Sequence, residues 1–197
     1  MKSFQIALLS IALIAPAYGD DLDQLRRFYS QLQSLSVEAR AETGLHLTLL
    51  VARGNRFRLQ WQGRLVVCDG KQLWNYSPEH KQAVLSPAAA EYSGSVEQLF
   101  VALLEQAHLR ILERRAETLR VECRLPSSAS ALGFRSAVLT VRRNDWTPLA
   151  VELVSEAGIQ RWEVLAFRPN PPVSPRDFTF TPPPDTEVIR LSGPGGP

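Results

Sequence analysis

The chain has 197 residues, with 22 Lys and Arg against 20 Asp and Glu, a formal charge of +2. A balance this close to neutral gives no electrostatic reason to expect nucleic acid as a partner, and the length suits one domain with a sizeable core. The two cysteines, Cys68 and Cys123, make neither a CxxC pair nor a metal-type spacing.

The chain opens with Met1-Lys2-Ser3, an apolar run from Phe4 to Ile14, and Ala15-Pro16-Ala17-Tyr18-Gly19. This pattern reads as a secretory signal peptide over residues 1–19, with the small-x-small signal of Ala17 and Gly19 directing cleavage before Asp20. The apolar run is too short for a bilayer span, which needs about 18 or more residues. No cysteine stands at the cleavage region, so the residues offer no site for a lipid-modified amino terminus. The mature chain is expected to be exported and soluble.

From Asp20 onward, Leu25, Phe28, Tyr29, Leu32 and Leu35 recur at three- and four-residue intervals. They predict an amphipathic helix over about 21–34, with acidic residues at its favourable start and Arg26-Arg27 on the wetter side. Val37 to Ala41 and Leu45 to Val51 follow as strands around Glu42-Thr43-Gly44. Phe57, Leu59 and Trp61 alternate with Arg58 and Gln60, which predicts a half-exposed strand whose aromatic side faces a curved interior. Leu65 to Cys68 then meets Asp69-Gly70, a strong hairpin signal, and the chain returns through Leu73, Trp74 and Tyr76. Trp74 and Tyr76 share a face and need an apolar cover, either a core layer or a hydrophobic binding surface. Ala83 to Leu85 offers the next strand of the meander.

Ser95 caps a second expected helix, in which Val96, Leu99, Phe100, Leu103 and Leu104 make an apolar face and Gln98 takes the capping-box position. Such a helix packs on the core or lids an apolar cavity. Further strands are expected over Leu109 to Leu112, Thr118 to Leu125, Phe134 to Arg142, Leu149 to Val154 and Ile159 to Phe167. About ten strands without a crossover helix argue for an antiparallel sheet, and a sheet of that size must curl or close. Ser192 to Pro197 is expected to be a disordered tail.

No catalytic constellation emerges. His46, His80 and His108 lie in different elements, the carboxylates form no acid and base pair, and the serines sit in turns and caps without a nucleophile elbow. The residues therefore point away from an enzyme, a metal site or a cofactor. Cys68 and Cys123 both lie in apolar strand patterns, where a disulfide and two buried free thiols are equally compatible with the spacing.

The run Arg53-Gly54-Asn55-Arg56-Phe57, followed by Leu65-Val66-Val67-Cys68-Asp69-Gly70-Lys71-Gln72-Leu73-Trp74-Asn75-Tyr76-Ser77-Pro78, resembles the central block of the periplasmic outer-membrane lipoprotein carrier family, LolA. The tail Phe178-Thr179-Phe180-Thr181-Pro182-Pro183-Pro184-Asp185-Thr186-Glu187-Val188 is similar to that family's closing strand and proline-containing turn. The resemblance implies a mainly β fold with α: an incomplete, strongly curved antiparallel β-barrel over residues 20–191, with helices covering its concave apolar face. It implies a periplasmic carrier that receives acyl chains of lipoproteins, or of another acylated lipid, from an inner-membrane ABC transporter and passes them to an outer-membrane acceptor. The carrier is expected to be a monomer without a cofactor. The implied cargo cavity is lined by Phe57, Leu59, Trp61, Trp74 and Tyr76, and the implied lid and latch comprise Arg53 with Phe28, Leu32, Leu99, Phe100 and Leu103. Gly54 stands where the family usually has proline, and Cys68 where it commonly has serine. A regulatory protein that senses lipid or lipoprotein in the envelope with the same fold is the alternative.

Overall fold

The computed structural model describes residues 18–88, 107–124 and 135–191. Among them, one α-helix, α1 (Tyr18–Ser30), precedes a single twelve-stranded sheet. Its strands are β1 (Ser34–Ala41), β2 (His46–Ala52), β3 (Arg56–Trp61), β4 (Arg64–Asp69), β5 (Gln72–Ser77), β6 (Gln82–Pro87), β7 (His108–Arg114), β8 (Thr118–Arg124), β9 (Ser136–Arg142), β10 (Pro148–Ser155), β11 (Gly158–Pro169) and β12 (Glu187–Arg190). A short 3-10 turn, Pro175–Phe178, lies between β11 and β12. The spatial order is β12-β6-β5-β4-β3-β2-β1-β11-β10-β9-β8-β7, so the sheet is open, with β12 and β7 at its edges.

Every pairing is antiparallel except β12 with β6, which is parallel. The parallel edge departs from the expected all-antiparallel sheet. Its cause is the proline-rich stretch after β11, which travels across several strands before Glu187–Arg190 reaches β6; parallel neighbours require such a crossover. Consecutive hairpins alone would leave every pairing antiparallel.

The expected helix over 21–34 also ends early, at Ser30. Leu32 and Leu35 keep a helical spacing but belong to the turn and to β1. The side chain of Asn170 accepts the Gln33 amide at 2.7 Å and the Ser34 amide at 3.4 Å, and Ser34 Oγ donates to Pro171 O at 2.8 Å. These tertiary bonds start the strand where local periodicity continues the helix. The second expected helix, with Leu99, Phe100 and Leu103, lies outside the described residues.

Leu25, Tyr29 and Leu32 are buried against one face of the sheet, each burial stabilising by roughly 1.5–3 kcal/mol. Polar contacts fix the helix along its length. Asp21, buried at the start of α1, pairs with Arg114 at 2.9 Å and Arg143 at 3.3 Å. Arg26 donates to Ala107 O at 3.1 Å, immediately before β7, and Tyr29 Oη donates to Trp146 O at 3.0 Å. At the other end Arg53, just after β2, donates to Ser30 O and to Leu32 O. Arg26 and Ser30 are one helical turn apart, about 6 Å. The strands they reach, β7 and β2, are six places apart in the sheet order, about 29 Å if the sheet were flat. The sheet therefore curls around α1, as the accumulated twist of so many strands requires.

Candidate functional site

Strand register divides the aromatic residues between two faces. Val51 pairs with Phe57, Leu49 with Leu59 and Leu47 with Trp61. Phe57 in turn pairs with Cys68 and Leu59 with Val66, and Cys68 pairs with Leu73. Paired residues share a face, so Phe57, Leu59 and Trp61 lie on the side that packs against α1. Trp74 pairs with Val67, and Tyr76 with Leu65, which puts both on the opposite side.

The five side chains predicted to line one cavity therefore do not meet. Trp74 and Tyr76 are covered by the segment after β11: Phe180 packs on Trp74 at 5.6 Å and on Tyr76 at 5.1 Å between ring centroids. Phe178 is buried beside them, with the Arg56 guanidinium 5.3 Å above its ring, and Arg58 donates to Thr179 O at 3.5 Å. The apolar cover that Trp74 and Tyr76 require is thus supplied from within the chain. Phe178 and Phe180 follow the end of β11 by nine and eleven residues of proline-rich chain, and no periodic pattern marks them for this role.

On the α1 side, burial falls along the strands. Leu35, Val51, Phe57 and Cys68, next to the Arg53 end, are buried, whereas Leu47, Leu59, Trp61 and Val66 are only half-buried. Trp162 and Val164 of β11 are half-buried and pack on the same cluster. The outcome is one continuous apolar face, closed at one end and partly open at the other.

The closed end is held by Arg53. Its Nε donates to Leu32 O at 2.9 Å and its Nη2 to Ser30 O, while its backbone amide donates to Gln33 O at 3.0 Å. A guanidinium suits the last carbonyls of a helix, which point outward unpaired and carry the negative end of the macrodipole. Phe28 stands edge-on to Tyr29 at 5.1 Å and tilted against Phe167 at 6.4 Å, and Leu32 is buried beneath the turn. Arg53, Phe28 and Leu32 are thus brought together at the α1 end. Tyr29 and Phe167 belong to the same cluster. Tyr29 was visible in the helical spacing, but its hydrogen bond to Trp146 depends on a turn remote in sequence.

Cys68 and Cys123 are both free and buried, on β4 and β8, seven places apart in the sheet order. The disulfide alternative therefore gives way to two thiols. Cys68 Sγ accepts a contact from Asn55 Nδ2 at 3.8 Å. Burial pushes both thiols up, Cys123 to about 12 from an ordinary value of 9.0. The unfolded chain ionises Cys123 first, so its contribution to stability is complete below pH 9 and is lost as pH rises towards 12. Unfolding free energy should fall by about 1.4 kcal/mol per pH unit across that window from this thiol alone. Urea titrations at successive pH values should show Cys123→Ala flattening the slope by that amount; an unchanged slope would sink the assignment.

The family model of the outer membrane lipoprotein carrier protein LolA matches residues 28–181. The chain is 27% identical over 211 residues to an outer-membrane lipoprotein carrier protein of Bordetella avium, covering 94% of this chain and 95% of that one. Among solved structures, it resembles a conserved protein from Thermus thermophilus with a TM-score of 0.56 at 20% identity, covering 88% of this chain and 98% of that chain. It also resembles LprF from Mycobacterium bovis with a TM-score of 0.50 at 11% identity, covering 81% and 96% respectively. At these identities the two structures speak for the fold. The family match runs from the last turn of α1 through β11 and past Phe180, and the chain belongs to the outer membrane lipoprotein carrier protein LolA family.

Proposed function

We propose that the chain is a soluble periplasmic carrier that holds the acyl chains of lipoproteins, or of another acylated lipid, on the α1 side of the sheet and shuttles them between the inner and outer membranes. The observation that carries this reading is the gradient of burial along the apolar face, from Phe57 and Val51 at the Arg53 end to half-exposed Leu47, Trp61 and Val164. Each methylene moved from water into such a surface contributes about 0.8 kcal/mol, so a partly inserted chain is held without covalent chemistry. Family membership supports the same reading, with an inner-membrane ABC transporter as donor and an outer-membrane protein as acceptor.

Arg53 acts as the latch in this proposal. Its bonds to the end of α1 are few and directional, so they bias the helix towards the closed position without making release prohibitive. Phe28 and Leu32 ride with that end of the helix.

The test is native mass spectrometry of the chain from Asp20, gently purified and then offered a dipalmitoylated lipopeptide. A one-to-one adduct is expected. Trp61→Ala should reduce its retention severalfold, whereas Trp74→Ala, on the opposite face, should leave retention unchanged in protein that keeps its β-rich circular-dichroism spectrum. Failure to take up any acylated probe would overturn the carrier reading. Equal losses from the two substitutions would overturn the assignment of the α1 side as the binding surface.

A further inference from the structure

Trp162 Nε1 is sealed from solvent and has no hydrogen-bond partner among the described residues. The indole ring stands on the α1 side of β11, paired with Ala41 of β1 and with Val151 of β10, and packs against the buried cluster together with Val164 and Leu139. It lies five residues along β11 from Phe167, which α1 covers through Phe28 and Tyr29, and so sits towards the partly open end of the apolar face. A buried tryptophan normally finds an acceptor for its N–H, because an unpaired donor in an apolar setting is costly. In a native core such an orphan calls for an explanation.

We propose that the Trp162 N–H is the polar recognition point of the cargo surface, donating to the ester or amide carbonyl at the head of a bound acyl chain. This rests on the carrier reading above. The indole is a donor only, so it favours an acceptor and has nothing to offer an ammonium group. A carbonyl is the first acceptor met on leaving the hydrocarbon of an acyl chain, and the burial gradient places Trp162 beyond the fully buried end, where that carbonyl arrives when the chain lies inward. An apolar pocket with one placed polar group gives orientation as well as affinity.

Matched probes separate this from simple greasy binding: 1-monopalmitoylglycerol carries the ester carbonyl, and 1-O-hexadecylglycerol has the same chain with an ether in its place. The native chain should bind the ester about three- to tenfold more tightly by calorimetry. In nitrogen-15 spectra the Trp162 indole N–H should move downfield with the ester and stay in place with the ether. Trp162→Phe should erase the preference while still binding the ether probe. If both probes bind but the native chain shows no ester preference, or Trp162→Phe retains it, the donor role is overturned and the carrier reading stands. If the native chain binds neither probe, the carrier reading fails and this inference fails with it. The spectra of the native chain decide the matter independently of how well the variant folds.

Discussion

Replacing Phe178 by alanine is expected to lower the unfolding free energy by about 3–5 kcal/mol while leaving the α1 side of the sheet in place. Phe178 is 1% exposed although it sits in a four-residue 3-10 turn outside the sheet. That turn contacts β3 and β4, and Val67 of β4, on the same side as Trp74, is fully buried. Truncation removes the ring that Arg56 covers and opens a cavity between the crossing segment and the strands. The segment also carries β12 to its place on β6, so loosening it should expose the β6 edge. Urea unfolding gives the stability change, and hydrogen exchange at Ala83 to Leu85 reports the edge. A loss below about 1 kcal/mol would mean that the crossing segment merely lies on the sheet, since even modest core truncations exceed that.

Gly70→Ala is the second substitution expected to act strongly. Gly70 has φ +97°, and a Cβ there would stand 2.6 Å from Gly54 O. Left-handed backbone at an alanine costs about 1–2 kcal/mol by itself. The collision adds to this because the obstacle is backbone and cannot rotate away. Gly54 provides the control: its φ is +82° but nothing lies within 4 Å of its Cβ position, so Gly54→Ala should show the conformational cost alone. Gly70→Ala should exceed it by more than about 1 kcal/mol in urea unfolding. The excess should come with a weaker hold on α1, because the displaced residue adjoins Arg53, which caps the helix. Equal costs at the two glycines would show that the turns separate freely.

Much of this architecture can be read locally. Alternation in Arg56–Trp61 marks β3, Asp69-Gly70 marks the hairpin, and the Asp69 side chain indeed accepts the amides of Lys71 and Gln72 at 2.8 Å each. Turn residues and strand periodicity act over a few residues, so they survive in the sequence as patterns. The helix end was not readable, because Asn170 and Arg53, distant in sequence, decide it. β12 was not readable as a parallel edge, because no short-range signal reports where a chain lands after a crossover.

The apolar face under α1 illustrates the division most clearly. Sequence alone determined that Phe57, Leu59 and Trp61 share one face, and that Trp74 and Tyr76 share one, because side chains alternate with period two along any strand. Whether these are the same face depends on register across β4, and there the pattern is silent: Leu65, Val66, Val67 and Cys68 are apolar at every position. Such a run arises where both sides of a strand are covered, here by the α1 cluster on one side and by Phe178 and Phe180 on the other. A shift of one residue would exchange the two sides. Only the tertiary pairing of Cys68 with Phe57 and of Val67 with Trp74 separates the aromatics that face the apolar interior from those sealed beneath the chain's own crossing segment.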